Sequence, residues 1–259
     1  MSLFVLASGL LGLIFGSFAN VCVHRIPRRQ SVAWPASHCP TCAHDIDWFD
    51  NIPILSWLWL KGRCRHCGAA IAWRYPMLEL VMGISWAALA WHFGPSLQCL
   101  EAVILFFLLW VLTVIDLETG LLPNALTFPG IAMGLGLSAW TGGLAGLIDG
   151  LIGAAAGYGI FWAVARIFLL LTGREGMGYG DFKLLAMLGA FMGWQALPFI
   201  IFASSFAGAI IGSVFLLLSR KGMRAEIPFG PYLALAGMVW FLWGGDLLSW
   251  YAGMIGLRG

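Results

Sequence analysis

The sequence predicts an all-α polytopic membrane protein, on three observations. Of its 259 residues 61% are hydrophobic and only 10% charged, where soluble domains carry about 25% charged residues. The apolar residues fall in long runs, with a mean hydropathy of +0.89. Short polar breaks part the runs and hold nearly all the basic residues. A helix needs about 20 apolar residues to cross a hydrocarbon core of roughly 30 Å, and eight runs are candidate spans: residues 3–22, 77–93, 97–115, 125–140, 147–171, 184–192, 196–219 and 230–251.

The first run has no basic leading region and no small-residue cleavage site before Ser17-Phe18-Ala19-Asn20, so it is expected to remain as an anchor, not a cleaved signal peptide. The sixth is too short to span alone. It is expected to take residues from the loop holding Asp181, or to lie as a tilted or half helix. Gly142, Gly146 and Gly150, with Gly153 and Gly157, have the spacing that lets helix backbones approach closely, a role in ordinary packing. Three regions follow: a first transmembrane helix (1–23), a polar insert (24–76) and a transmembrane bundle (77–259).

Alternation from an outside N-terminus puts Arg25, Arg28, Arg29, Lys61, Arg63, Arg65, Arg74, Arg174, Lys183, Arg220, Lys221 and Arg224 on inside loops, with Arg166 at an inner helix end. Of the fourteen Lys and Arg residues only Arg258 then lies outside, the asymmetry that the positive-inside rule requires. A net charge of +2 without a basic stripe argues against a nucleic-acid partner.

The insert is too small for a generous hydrophobic core. It carries Cys39-Pro40-Thr41-Cys42 and Cys64-Arg65-His66-Cys67, with 21 residues between the pairs. Two CxxC turns at that separation can present four thiolates to one tetrahedral zinc ion. A disulfide framework is the rival, disfavoured on a reducing cytoplasmic face. Four thiolates leave no open coordination position, so the zinc is expected to be structural and to supply on the order of 10 kcal/mol of binding free energy to folding. His38, His44 and His66 could replace a ligand or stand as solvated loop histidines; Cys22 and Cys99 read as packing residues.

Carboxylates are few, and ionisable groups at membrane depth are costly and usually functional. Asp116 ends the third run, and Asp181 precedes the sixth within Gly178-Tyr179-Gly180-Asp181. By the orientation above both lie at the cytoplasmic edge, so a bundle could bring them together. Two adjacent carboxyl groups would share one proton. The ionised member could then activate water while the protonated one polarises a peptide carbonyl or protonates the leaving amine. Taken singly, Asp181 could be a helix N-cap and Asp116 a solvated interfacial carboxylate. Glu118 and Glu175 are backups displaced toward the loops; Asp149, Glu101 and Asp246 fall toward the other face. No Gly-x-Ser-x-Gly elbow, His-Glu-x-x-His helix or P-loop occurs.

These residues resemble the type IV prepilin peptidase family, the leader peptidases of type IV pili and type II secretion and a GxGD-type group of aspartyl proteases. The resemblance rests on Gly16-Ser17-Phe18-Ala19-Asn20-Val21-Cys22 with His24-Arg25-Ile26-Pro27, on Asp50-Asn51-Ile52-Pro53-Ile54-Leu55-Ser56-Trp57, and on the two CxxC pairs. Arg74-Tyr75-Pro76 with Glu79, Asp116 with Leu122-Pro123, Gly178-Tyr179-Gly180-Asp181 with Lys183-Leu184-Leu185, and Pro228-Phe229-Gly230-Pro231 complete it. It implies that Asp116 and Asp181 are catalytic in the bacterial inner membrane. The implied substrate is a prepilin or pseudopilin whose basic leader is cut after a glycine at the cytoplasmic face. Asn124 departs from the pattern, many relatives having aspartate there. The resemblance also implies N-methylation of the new N-terminus with S-adenosylmethionine, for which Arg74 and Glu79 are the candidate residues; an ion pair between those two is the structural alternative. Acidic Asp45, Asp47 and Asp50 could attract a basic leader or simply be solvated. Rival classes are a proton-coupled transporter using the two aspartates, whose site should lie near the midplane, and a membrane scaffold that docks a partner on its zinc insert.

Overall fold

The computed structural model describes residues 2–174, 176–218 and 228–254, excluding the side chains of 215–218 and 252. Glu175, Arg220, Lys221, Arg224 and Arg258 lie outside the described residues. The architecture is helical: α1 Ser2–Arg25, α2 Leu55–Trp59, α3 Arg74–Phe93, α4 Leu97–Thr119, α5 Asn124–Thr172, α6 Tyr179–Met192, α7 Leu197–Leu218 and α8 Gly230–Met254. Two compact units divide the chain, Met1–Val111 and Leu112–Gly259.

Among the described residues five helices are long and apolar enough to cross a membrane: Ser2–Arg25, Leu97–Thr119, Asn124–Thr172, Trp194–Val214 and Gly230–Tyr251. The eight expected runs differ from these five for three physical reasons. Runs four and five form a single element, α5, broken at Gly143, whose φ of +61° glycine adopts without steric penalty. Run two is α3, diluted by Arg74, Tyr75, Glu79 and His92. Run six is α6, which begins at Tyr179 and so does take up the Asp181 segment, yet its 14 residues reach only about 21 Å at 1.5 Å per residue.

In the first unit α1 lies along α3 on a glycine seam. A Cβ on Gly16 would stand 2.6 Å from the Glu79 Cα, and one on Gly12 2.7 Å from the Met82 carbonyl oxygen, so these backbones touch where any side chain would separate them. Leu3, Leu6, Leu10 and Ile14 project outward from α1. Arg25, the last residue of α1, is buried and donates to the Ser31 and Ala36 carbonyls at 3.1 and 3.2 Å, tying down the chain as it enters the insert.

In the second unit both arms of α5 pack on α6. Ser138 Oγ donates to the Ala190 carbonyl at 2.9 Å, Gly134 lies against Phe191, and Gly150 against the Ala190 carbonyl. Gly153 and Gly189 meet carbonyl to Cα, and Gly157 meets Leu185. The expected packing role thus holds at Gly146, which lies against the Ser138 carbonyl, and at Gly150, Gly153 and Gly157, while Gly142 has open space around it. Residues 184–191 of α6 are all buried.

Candidate active site and metal centre

The two aspartates are placed by the ends of two helices in the second unit. Asp116 lies in the last turn of α4, on the face that carries the fully buried Leu112 and Ile115, and is 5% exposed. Its Oδ2 accepts the backbone N–H of Gly230 at 2.9 Å. Gly230 starts α8, where the first amides have no intrahelical acceptor, and the next residue, Pro231, has no N–H to offer. The free amide at that helix start is therefore the Gly230 N–H, and the Asp116 carboxylate receives it.

Asp181 lies in the first turn of α6 and is 9% exposed. Gly178, not Asp181, is the capping residue. The aspartate reaches back to the Gly178 amide, as an acidic residue of the first turn does in a capping box. Asp116 and Asp181 are near enough for the charge of one to act on the other. Leu122 packs between their supports: a Cβ on Gly180 would stand 2.8 Å from the Leu122 Cβ, and one on Gly230 3.3 Å from its Cδ2. Lys183 Nζ donates to Asn124 Oδ1, joining the start of α6 to the start of α5.

Glu118 is exposed at the loop end of α4 and Asp246 is exposed on α8. Asp149 lies against Gly193. Glu101 is buried within the first unit.

In the first unit the insert folds as two similar turns. Cys39 N–H donates to the His44 carbonyl and Ala43 N–H to the Cys39 carbonyl, at 2.9 and 2.8 Å. Cys64 N–H donates to Ala69 and Gly68 N–H to Cys64, at 2.8 and 3.0 Å. Gly68 has φ +70°, a left-handed turn residue. The four cysteine sulfurs lie within 4.8 Å of one another, and those of Cys39 and Cys67 are 3.8 Å apart. Four sulfurs about 2.3 Å from a central zinc at tetrahedral angles would be about 3.8 Å apart, so the donor set fits that ion. The amides of Cys42 and Thr41 pull the pKa of Cys39 down to about 6, favouring the thiolate that a metal binds, whereas Cys67 beside it is raised to about 11, so the thiols share their protons as a group. The rings of His44 and His66 meet at a tilt of 37°, centroids 3.4 Å apart. The four-residue ligand group is all cysteine. Cys22 and Cys99 are buried, in keeping with packing.

Arg65 grips Asp50 with two hydrogen bonds of 2.7 and 2.6 Å, and its guanidinium holds the Asp50 carboxyl below the usual carboxylate range; Asp45 and Asp47 are exposed. Glu79 is buried, its Oε2 accepting the Ile54 N–H at 2.7 Å and its carboxyl also engaging Ser17. The Arg74 guanidinium lies over the Tyr75 ring, 4.9 Å from its centroid.

Sequence reasoning missed the Gly230 amide as the partner of Asp116. The available signal was the Gly230-Pro231 step at the head of an apolar run. It also read Lys183 as a topology marker and a motif residue without a partner, and its link to Asn124 joins residues 59 positions apart.

The model of the bacterial peptidase A24 N-terminal domain matches residues 10–93, and that of the type IV leader peptidase family residues 103–213. A prepilin leader peptidase/N-methyltransferase of Aeromonas salmonicida (strain A449) is 45% identical, over 95% of this chain and 93% of its own. The protein of the same description from Aeromonas hydrophila is 45% identical over 93% and 91%, and that from Pseudomonas aeruginosa 42% over 98% and 96%. No solved structure matches the chain.

Proposed function

The chain belongs to the type IV leader peptidase family, and from that premise we propose that it cleaves the leader from prepilins or type II secretion pseudopilins with Asp116 and Asp181. One observation carries the reading: two carboxylates from α4 and α6 are both buried and electrostatically in touch. Two such groups share a proton. The ionised member takes a proton from water, the water oxygen attacks the scissile carbonyl, and the protonated member hydrogen-bonds the carbonyl oxygen and then passes its proton to the leaving nitrogen. The Gly230 N–H, fixed on Asp116 Oδ2, orients that carboxylate.

The membrane arrangement belongs to the same reading. Eight spans are counted when α3, the two arms of α5 and α6 are each taken as one, with the N-terminus periplasmic. Insert and aspartates then lie on the cytoplasmic side of the inner membrane, where the positive-inside rule keeps a basic leader. A scissile bond just outside the substrate's apolar segment is thereby delivered to the level of the aspartates.

Zinc on Cys39, Cys42, Cys64 and Cys67 would close the two turns of the insert into one unit. Relatives named as N-methyltransferases support methylation of the new N-terminus with S-adenosylmethionine. Glu79, one of the two candidate residues for that group, is already occupied by Ile54 and Ser17. It fits an anchor for the insert better than a ligand to the methyl donor, and no step is derived through that donor.

The test is cleavage of a purified prepilin by the full-length protein carrying Asp116→Asn or Asp181→Asn. Both variants should lose processing while keeping the parent's melting behaviour. Full processing by either would end the assignment.

A further inference from the structure

The insert carries an apolar surface that neither the metal centre nor the peptidase reading uses. In α2 no residue is buried. Leu55, Leu58 and Trp59 project outward, with Trp59 83% exposed, and Trp48 in the preceding turn is 81% exposed. Lys61 and Arg63, both exposed, follow α2 directly. Large apolar side chains rimmed by basic ones mark an interaction surface.

What covers this surface is decided by where it is pinned. Ile54, the residue before α2, is held by the Glu79 carboxylate at 2.7 Å. Glu79 is the third residue of the apolar run 77–93, so at 1.5 Å per residue the start of α2 is fixed roughly 3–5 Å from where that run begins. Trp73, 68% exposed, caps the same helix. At that level the surroundings are the headgroup and upper acyl region, where tryptophan is enriched. Flanking lysine and arginine reach lipid phosphates from there while their stems stay in the apolar layer.

We propose that residues 48–63 form an interfacial anchor, with Trp48, Leu55, Leu58 and Trp59 inserted at the bilayer surface and Lys61 and Arg63 on lipid phosphates. The anchor rests on α3 entering the bilayer near Met77. It fixes the height and tilt of the cysteine cluster, which the chain reaches at Cys64, directly after Arg63. A soluble insert on a flexible tether would have neither fixed.

The test places the photo-crosslinker p-benzoylphenylalanine singly at Trp48, Trp59, Leu6 and Thr41 of the full-length protein, in vesicles of phosphatidylethanolamine and phosphatidylglycerol with a prepilin present. Leu6 projects outward from α1 and is the lipid reference; Thr41, exposed on a metal-binding turn, is the aqueous one. Lipid adducts at 48 and 59 should approach the yield at Leu6 and exceed that at Thr41 by about tenfold or more, as insertion into the acyl boundary requires. Adducts at Leu6 with none at 48 and 59 would overturn the anchor and leave the spanning helices intact. Loss at all three positions would overturn both. Adducts to the prepilin in place of lipid would assign the surface to substrate and overturn the proposal.

Discussion

Replacing Gly230 by alanine tests the active-site reasoning where it is most exposed. A Cβ at this position would stand 2.6 Å from Asp116 Oδ2 and 3.2 Å from its Cγ, about 0.8 Å inside ordinary van der Waals contact of roughly 3.4 Å or more. The carboxylate cannot stay where it is. Because it is held by the backbone N–H of the same residue, it must also lengthen that bond as it moves. A displacement approaching 1 Å in a catalytic group costs up to about 100-fold in rate, so kcat should fall by roughly 10- to 100-fold, or about 1.4 to 2.7 kcal/mol of barrier. KM should change little, since the perturbation acts on a carboxylate assigned to the chemical step. The assay is steady-state cleavage of a prepilin in detergent, with Gly245→Ala as the control because nothing lies within 4 Å of a Cβ there. A Gly230→Ala enzyme within twofold of the control would refute the idea that this amide orients a catalytic carboxylate.

Removing either carboxylate goes further: Asp116→Asn and Asp181→Asn should each lower kcat by about 10² to 10⁴, the usual worth of general acid–base catalysis, read by the same cleavage assay. Metal analysis of purified protein should find one zinc per chain, and Cys39→Ser should lose it and make the insert protease-sensitive; full zinc occupancy in that variant would remove Cys39 from the ligand set. At the α5/α6 contact, Gly153→Val meets the Gly189 backbone, which cannot yield as a side chain can, so the variant should fail to give a cooperative melt. Gly136→Ala, with open space around it, should melt within a few degrees of the parent.

Helix content and the four-cysteine cluster were legible because each depends on local pattern. Apolar runs announce membrane helices whatever packs against them, and a CxxC turn places its two sulfurs without help from distant parts of the chain. The number of spans was less legible. Whether residues 125–171 make one helix or two depends on the backbone angle of Gly143, which the sequence leaves free. At the site, Asp116 and Asp181 stood out through the rarity of carboxylates near apolar runs. Their supports did not, since the Gly230 amide and the Leu122 side chain are joined to them only by tertiary folding.

A helix of 14 residues is an unusual carrier for a membrane carboxylate, and its packing explains why it suffices. Because α6 is buried along almost its whole length, it has no need to match the thickness of the bilayer; its ends answer to α5, not to lipid. The contacts that enforce this run backbone to backbone through Gly150, Gly153, Gly157 and Gly189, where no side-chain rotamer can absorb a shift. Any change in the level of α6 must therefore slide the whole seam. The first turn, with Asp181, inherits that rigidity through the contact of Gly180 with Leu122 and of Lys183 with Asn124. Asp116 is fixed separately by the head of α8. Two carboxylates held by different helices keep their spacing only if each is rigid in its own right, and here one is held by a glycine seam and the other by a backbone amide.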